Sequence, residues 1–189
     1  MTAIGALMGF LLLSGAALGA LPVRANAPML SASPSYTVTL TAYNAVPEQT
    51  DGDPFTTASG AYSNPEVVAA RSRDLARELP FGTIIEVAQA PDQHNNCGYD
   101  VVAPIIGYRV IADTMNARYT DRIDILFSTK SDYLMNDGRM KNAGTILGVC
   151  SGAAVRVVGY VDLSRPSRLP KTQIELAALV NGDASLALK

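Results

Sequence analysis

Apolar and polar positions alternate through most of the chain after its first thirty residues, and the period is that of strands. Residues 35–43 run Ser-Tyr-Thr-Val-Thr-Leu-Thr-Ala-Tyr, β-formers spaced by two. Short apolar runs of the same character recur at residues 67–70, 83–87, 99–104, 107–112, 122–127 and 153–161. Turn-forming stretches separate them, among them the polar loop 47–54, Pro-Glu-Gln-Thr-Asp-Gly-Asp-Pro. Helical patterning is scarcer. One helix is predicted within residues 65–78, centred on Asp74-Leu75-Ala76-Arg77-Glu78 and stopped by Pro80. A second, short one is predicted over residues 130–135 with Ser128 as its N-cap. A last amphipathic segment within residues 170–189 carries Leu176, Ala177, Leu179 and Val180. Six or seven short strands with one or two short helices predict a mainly β chain closed into a small barrel.

The leader follows another rule. No charge falls between Thr2 and Val23, and residues 4–21 are nearly continuous Ile, Leu, Met, Phe, Ala and Gly. Ala25-Asn26-Ala27 has the small-x-small form that signal peptidase reads, with a cut near Gly19 or Ala20 as the alternative. The same run reaches the roughly twenty residues a membrane span needs. Residues 1–27 are therefore expected to be a signal peptide or an N-terminal anchor helix, and either one exports the chain. Behind them the division is a linker at 28–35, the barrel at 36–161 and a tail at 162–189.

Composition removes several functions. With 189 residues the chain buries a core without disulfide scaffolding. Fifteen basic residues against seventeen acidic ones leave no basic face for nucleic acid. Cys97, Cys150 and His94 fall short of a four-ligand zinc set, and no metal, nucleotide or redox cofactor is expected. In an oxidising compartment two cysteines pair as a rule, so a Cys97–Cys150 disulfide is expected. The alternatives are two separate thiols, or a thiol nucleophile served by His94.

Carboxylates are what remain for chemistry. Asp113 stands at the exit of the apolar run Tyr108-Arg109-Val110-Ile111-Ala112. Asp124 is the one acid inside Arg122-Ile123-Asp124-Ile125-Leu126-Phe127. Burial between isoleucines would hold its proton near neutrality, which suits a general acid. The plainer alternative is a solvent-facing Asp124, or one paired with Arg118 or Arg122.

Thr57-Ala58-Ser59-Gly60, Val68-Ala69-Ala70, Leu79-Pro80-Phe81-Gly82-Thr83, Ala112-Asp113-Thr114 and Arg122-Ile123-Asp124 follow one another in a familiar order. Together with Thr41-Ala42-Tyr43 and Gln49-Thr50-Asp51-Gly52-Asp53-Pro54-Phe55, this order resembles the three-aspartate (3D) domain. That domain is akin to the barrels of rare lipoprotein A and membrane-bound lytic transglycosylase A. The likeness covers residues 36–161, with Asp74, Asp113 and Asp124 in the places of the three aspartates. It implies a six-stranded double-psi β-barrel that acts on the glycan strands of peptidoglycan. The implied reaction is lytic: one carboxylic acid cleaves the MurNAc–GlcNAc bond and leaves a 1,6-anhydro end.

Asp124 is the favoured acid, with Asp113 as its partner and Asp74 third. Thr50, Asp51, Thr57 and Ser59 belong to loops that would line the groove. Arg118 and Arg122 would add cations to it, Arg118 beside the ring of Tyr119, where many members carry a glycine-rich run. The other reading is a wall-binding barrel of the expansin kind that grips glycan without cutting. Either way the expected partner is peptidoglycan. No nucleic acid is expected, membrane contact is limited to the leader, and the chain is expected to be a monomer.

Overall fold

The computed structural model describes residues 33–89 and 97–182. The expectations for the leader, His94 and residues 183–189 lie outside the described residues. Eight strands occur in chain order: β1 (Ser35–Asn44), β2 (Val68–Arg71), β3 (Thr83–Gln89), β4 (Arg109–Thr114), β5 (Arg122–Phe127), β6 (Asp132–Leu134), β7 (Met140–Asn142) and β8 (Cys150–Tyr160). Six of them close a barrel in the order β1-β5-β2-β4-β3-β8, while β6 and β7 pair as a separate hairpin. The helices are α1 (Tyr99–Ile106), α2 (Ala143–Leu147) and α3 (Gln173–Val180). The chain is thus mainly β with a closed six-stranded barrel. Pairs β1/β5 and β2/β4 are parallel and the other four are antiparallel.

Strand alternation divides the apolar residues between two clusters. Val38, Leu40, Ala69, Ile85, Ile111, Ile123, Ile125, Phe127, Ala153 and Val155 come from all six strands and fill the barrel. Each valine, leucine, isoleucine or phenylalanine among them stabilises the fold by about 2 kcal/mol. Tyr43, Val68, Ala70, Ile84, Val110, Ala112 and Leu126 lie on the outer face instead. Ala61, Val67, Leu163, Leu169 and Leu176 cover them, so the C-terminal tail is part of the packing. Arg109 is fully buried and donates to five backbone carbonyls, those of Pro65, Val68, Ile105, Ile106 and Leu126. It thereby ties the end of α1 to β2 and β5. Burial lowers its pKa to about 10, which leaves it charged at neutral pH.

Three predicted elements differ. The run 99–104 is not a strand but the start of α1, whose buried residues Val102 and Ile106 are four apart, the spacing of one helix face. β-branched composition hid that period. The helix expected over 130–135 is the β6–β7 hairpin, closed around Asp137-Gly138, with Gly138 at φ 76°. Within 65–78, only a single 3₁₀ turn at Arg73–Ala76 follows strand β2.

The expected disulfide joins Cys97 to Cys150 and removes both thiol alternatives. It sets α1 against α2, where the Gly98 N–H donates to Leu147 O at 3.2 Å. A Cβ at Gly98 would stand 2.1 Å from Ile146 O, so only glycine permits this approach.

Candidate active site

One row of register partners crosses four strands: Thr41 of β1, Asp124 of β5, Ala70 of β2 and Asp113 of β4. Partners directly opposite in a sheet share a face, so both acids rise on the outer face with the methyl of Ala70 between them. Two strand spacings separate their backbones, about 10 Å. A bulge places Asp113 there. Ala69 pairs with Ile111 but Ala70 pairs with Asp113, so Ala112 is the extra residue. Ile111 points into the barrel, and without the bulge Asp113, two residues on, would follow it inward.

Asp113 is held on both oxygens. Its Oδ1 accepts from the N–H groups of Ala58 at 2.9 Å and Thr114 at 2.8 Å. Its Oδ2 accepts from the Tyr43 hydroxyl at 2.9 Å. Burial, followed by the charge of Asp113 and this bond, raises the Tyr43 pKa well above the ordinary phenol value, so the phenol stays a donor. Residues 55–63 fold down over Asp113: Thr56 bridges Tyr62, and the Ser59 N–H donates to Ala112 O at 3.0 Å.

Asp124 differs. Its Oδ1 accepts one bond, from Thr41 Oγ1 at 2.8 Å. Its Oδ2 has no hydrogen-bond partner among the described residues, and no described side-chain oxygen is both buried and unpartnered. Oδ2 therefore keeps some exposure to solvent. Desolvation pushes the pKa of Asp124 up to about 6 and Asp113 adds to the rise, against the Thr41 bond and the charge of Arg122. It makes no ion pair with Arg118 or Arg122 among the described residues. A carboxyl group that holds a proton near neutrality and turns one oxygen outward can give that proton to a bound ligand and take it back.

The other expected residues divide. Asp74 caps the start of β5 by accepting the Asp121 N–H at 2.9 Å; it lies along the strands from the row, not in it. Desolvation works to raise its pKa, but this bond and one from Ser72 prevail and hold it below the usual carboxylate range. Thr57 is buried with its hydroxyl on Ala61 O at 3.0 Å, so it shapes the loop, and Ser59 stands half-buried beside it. Thr50 bonds Val46 O within its own turn and Asp51 is exposed; no hydrogen bond among the described residues links either to the acids. Arg122 shares the face of Asp124, two residues along β5, and Arg118 lies close to it across the ring of Tyr119.

Several contributors were not among the expected site residues: Thr41, Tyr43, Ala70, the Ala58 N–H, and the exposed rings of Phe55 and Tyr62 on the covering loop. The period of two in β1 puts Thr39, Thr41 and Tyr43 on one face, which is the signal that would have found the first two. A cleft of about 400 Å³ elsewhere, lined in part by Tyr99, Tyr108 and Gln173, contains none of these acids. Its Gln173 amide is spent on the backbone of Glu66 and Tyr108. Among the described residues no three His, Cys, Asp or Glu side chains gather as a metal set would.

No protein-family model matches the sequence, and no curated protein matches it.

Proposed function

We propose that the chain is an exported lytic transglycosylase-like enzyme of the 3D type, cleaving peptidoglycan glycan between MurNAc and GlcNAc with Asp124 as its single acid and base. One observation carries the reading: Asp124 is desolvated, has a single donor, leaves Oδ2 unpartnered and shares a row with Asp113. The strand order β1-β5-β2-β4-β3-β8, with two parallel pairs, needs connections that cross the barrel ends, which supports the double-psi form. A disulfide is compatible with export.

In the proposed step the Asp124 proton passes to the glycosidic oxygen as its bond to MurNAc C1 breaks. The Asp124 carboxylate then takes the proton of the C6 hydroxyl while O6 bonds C1, closing the 1,6-anhydro ring. The acid is restored and no water is consumed. A hydrolase would need a second carboxylate placed to activate water; the oxygens of Asp113 are already engaged by three donors. Asp113, fixed by Tyr43, Ala58 and Thr114, supports the field that keeps Asp124 protonated.

The second reading, a glycan-gripping barrel without turnover, is favoured by the exposed rings of Phe55 and Tyr62 on the loop that covers Asp113. Digestion of purified sacculi by wild type and Asp124→Asn separates the two. Anhydro ends by mass spectrometry, lost in Asp124→Asn, are expected. Reducing ends would make the protein a hydrolase, and binding without products would leave the grip alone.

A further inference from the structure

Two arginines of the described residues are spent on the fold. Arg109 donates to five carbonyls, and Arg71 donates to Leu79 O and Ser72 O. Arg118 and Arg122 are distinguished by sharing one ring: each guanidinium stands over Tyr119, at 4.7 Å and 4.8 Å from its centroid. The only side-chain bond between them and the described residues is Arg118 Nη2 to Tyr119 Oη at 2.7 Å. The ion pairs among the described residues belong to Arg139, Arg156 and Arg168. A guanidinium carries five donors in a planar fork, so most of those on this pair are unspent.

Two like charges on one ring repel. The nearby acids do not neutralise them by contact. Asp74 is turned to the Asp121 N–H, Asp113 is occupied by three donors, and Asp124 acts on Arg122 only through space. Stacking on Tyr119 instead fixes the orientation of both forks before any ligand arrives, which lowers the entropy cost of binding one. Their place is beside the acids: Arg122 is two residues from Asp124 on the same face, about 7 Å along the strand.

We infer that Arg118 and Arg122, held by Tyr119, form an anion subsite of the groove, and that the glycan it accepts carries carboxylates. The inference rests on the glycan reading above and deepens it. Each fork pairs with a carboxylate through two parallel N–H bonds, and the subsite discriminates charged from neutral strands. Peptidoglycan offers carboxylates from two sources, lactyl groups bared of peptide and the acids of stem peptides; the chemistry at the forks is the same.

The test is equilibrium binding by calorimetry on the full chain carrying Asp124→Asn, so that strands stay intact. The probes are peptide-free MurNAc–GlcNAc strands with free lactyl carboxylates, strands that keep their stem peptides, and each of these after amidation with ethanolamine. At least one carboxylate form is expected to bind tenfold or more tightly than its amidated counterpart, with a preference that shrinks as salt rises. Which form does so identifies the source. Arg118→Gln and Arg122→Gln are each expected to bring the preference ratio towards one, and Arg118→Lys to restore part of it. Because salt dependence is read on the unsubstituted arginines, the test survives a variant that folds poorly. Equal affinity for charged and amidated strands overturns the subsite while leaving the glycan reading in place. Failure of every strand to bind overturns both.

Discussion

Tyr43 reaches across the outer face of the barrel, from β1 to β4, to donate its hydroxyl hydrogen to Asp113 Oδ2 at 2.9 Å. The contact holds Oδ2 of the second acid of the row, while the Ala58 N–H of the covering loop holds Oδ1. Removing only the hydroxyl, by Tyr43→Phe, takes one of three donors from Asp113. A hydrogen bond to a charged group contributes roughly 1.5–3 kcal/mol, so kcat is expected to fall by about tenfold or more. KM should change little, since the ring stays in place. Release of anhydro ends under initial-rate conditions measures both; an unchanged kcat would remove Tyr43 from the machinery.

The pKa of Asp124 sets two pH dependences. As an acid it works protonated, so kcat/KM is expected to be level below about pH 6 and to fall about tenfold per unit above it. Stability follows the same proton. The folded pKa lies above the unfolded carboxyl value of about 4, so the folded state binds the proton more tightly between the two. This group's contribution is complete below about pH 4 and is lost as the pH climbs through about 6. Asp124→Asn should then abolish turnover yet stabilise the protein at pH 7.5. The gain is on the order of 2 kcal/mol, taking about 1.4 kcal/mol per unit and allowing for groove water on Oδ2. Urea titrations of both proteins at pH 4.5 and 7.5 would expose it as a difference that shrinks on acidification.

Ala70 keeps the two acids in view of each other. It is buried in the same outer cluster as Tyr43, and its position is the register partner of both Asp113 and Asp124. Ala70→Leu inserts bulk at that point, displaces Tyr43 and costs about 1–3 kcal/mol by overpacking. Activity should fall further than stability accounts for. A variant as active as wild type would show that the row does not act as a unit.

The disulfide closes a segment of 53 residues between α1 and β8. Chain-entropy estimates for a loop of that size give about 4 kcal/mol. The double substitution Cys97→Ala with Cys150→Ala should lower Tm by several degrees in calorimetry. The buried Cys150 packs in the barrel core, so alanine there adds a small cavity cost. A double variant that melts with wild type would mean the closure acts on an already ordered denatured chain.

How legible the molecule was varies by element. Arg122–Phe127 was delimited residue for residue from its alternation, and β1 to within one residue, because a half-buried strand writes its two faces into a period of two. α1 was misassigned because Val and Ile are strand formers by composition, while its burial follows a helical spacing imposed by packing on α2. The hairpin at Asp137-Gly138 did carry a turn signal that an N-cap reading of Ser128 overrode. Asp113 and Asp124 stood out by their apolar flanks. Asp74 matched by spacing alone, and spacing does not tell a turn cap from a groove acid.

The sequence by itself determined that this chain is mainly β, where several of its strands run and which two acids merit suspicion, because apolar periodicity is a local property of neighbours along the chain. Tertiary structure alone decided that those acids share a face. The single-residue bulge at Ala112 turns Asp113 outward, and the parallel register of β1 with β5 brings Thr41 to Asp124. Register and bulges are settled by which strands meet, and contacts such as Tyr43 to Asp113, 70 residues apart, leave no mark on either stretch of sequence.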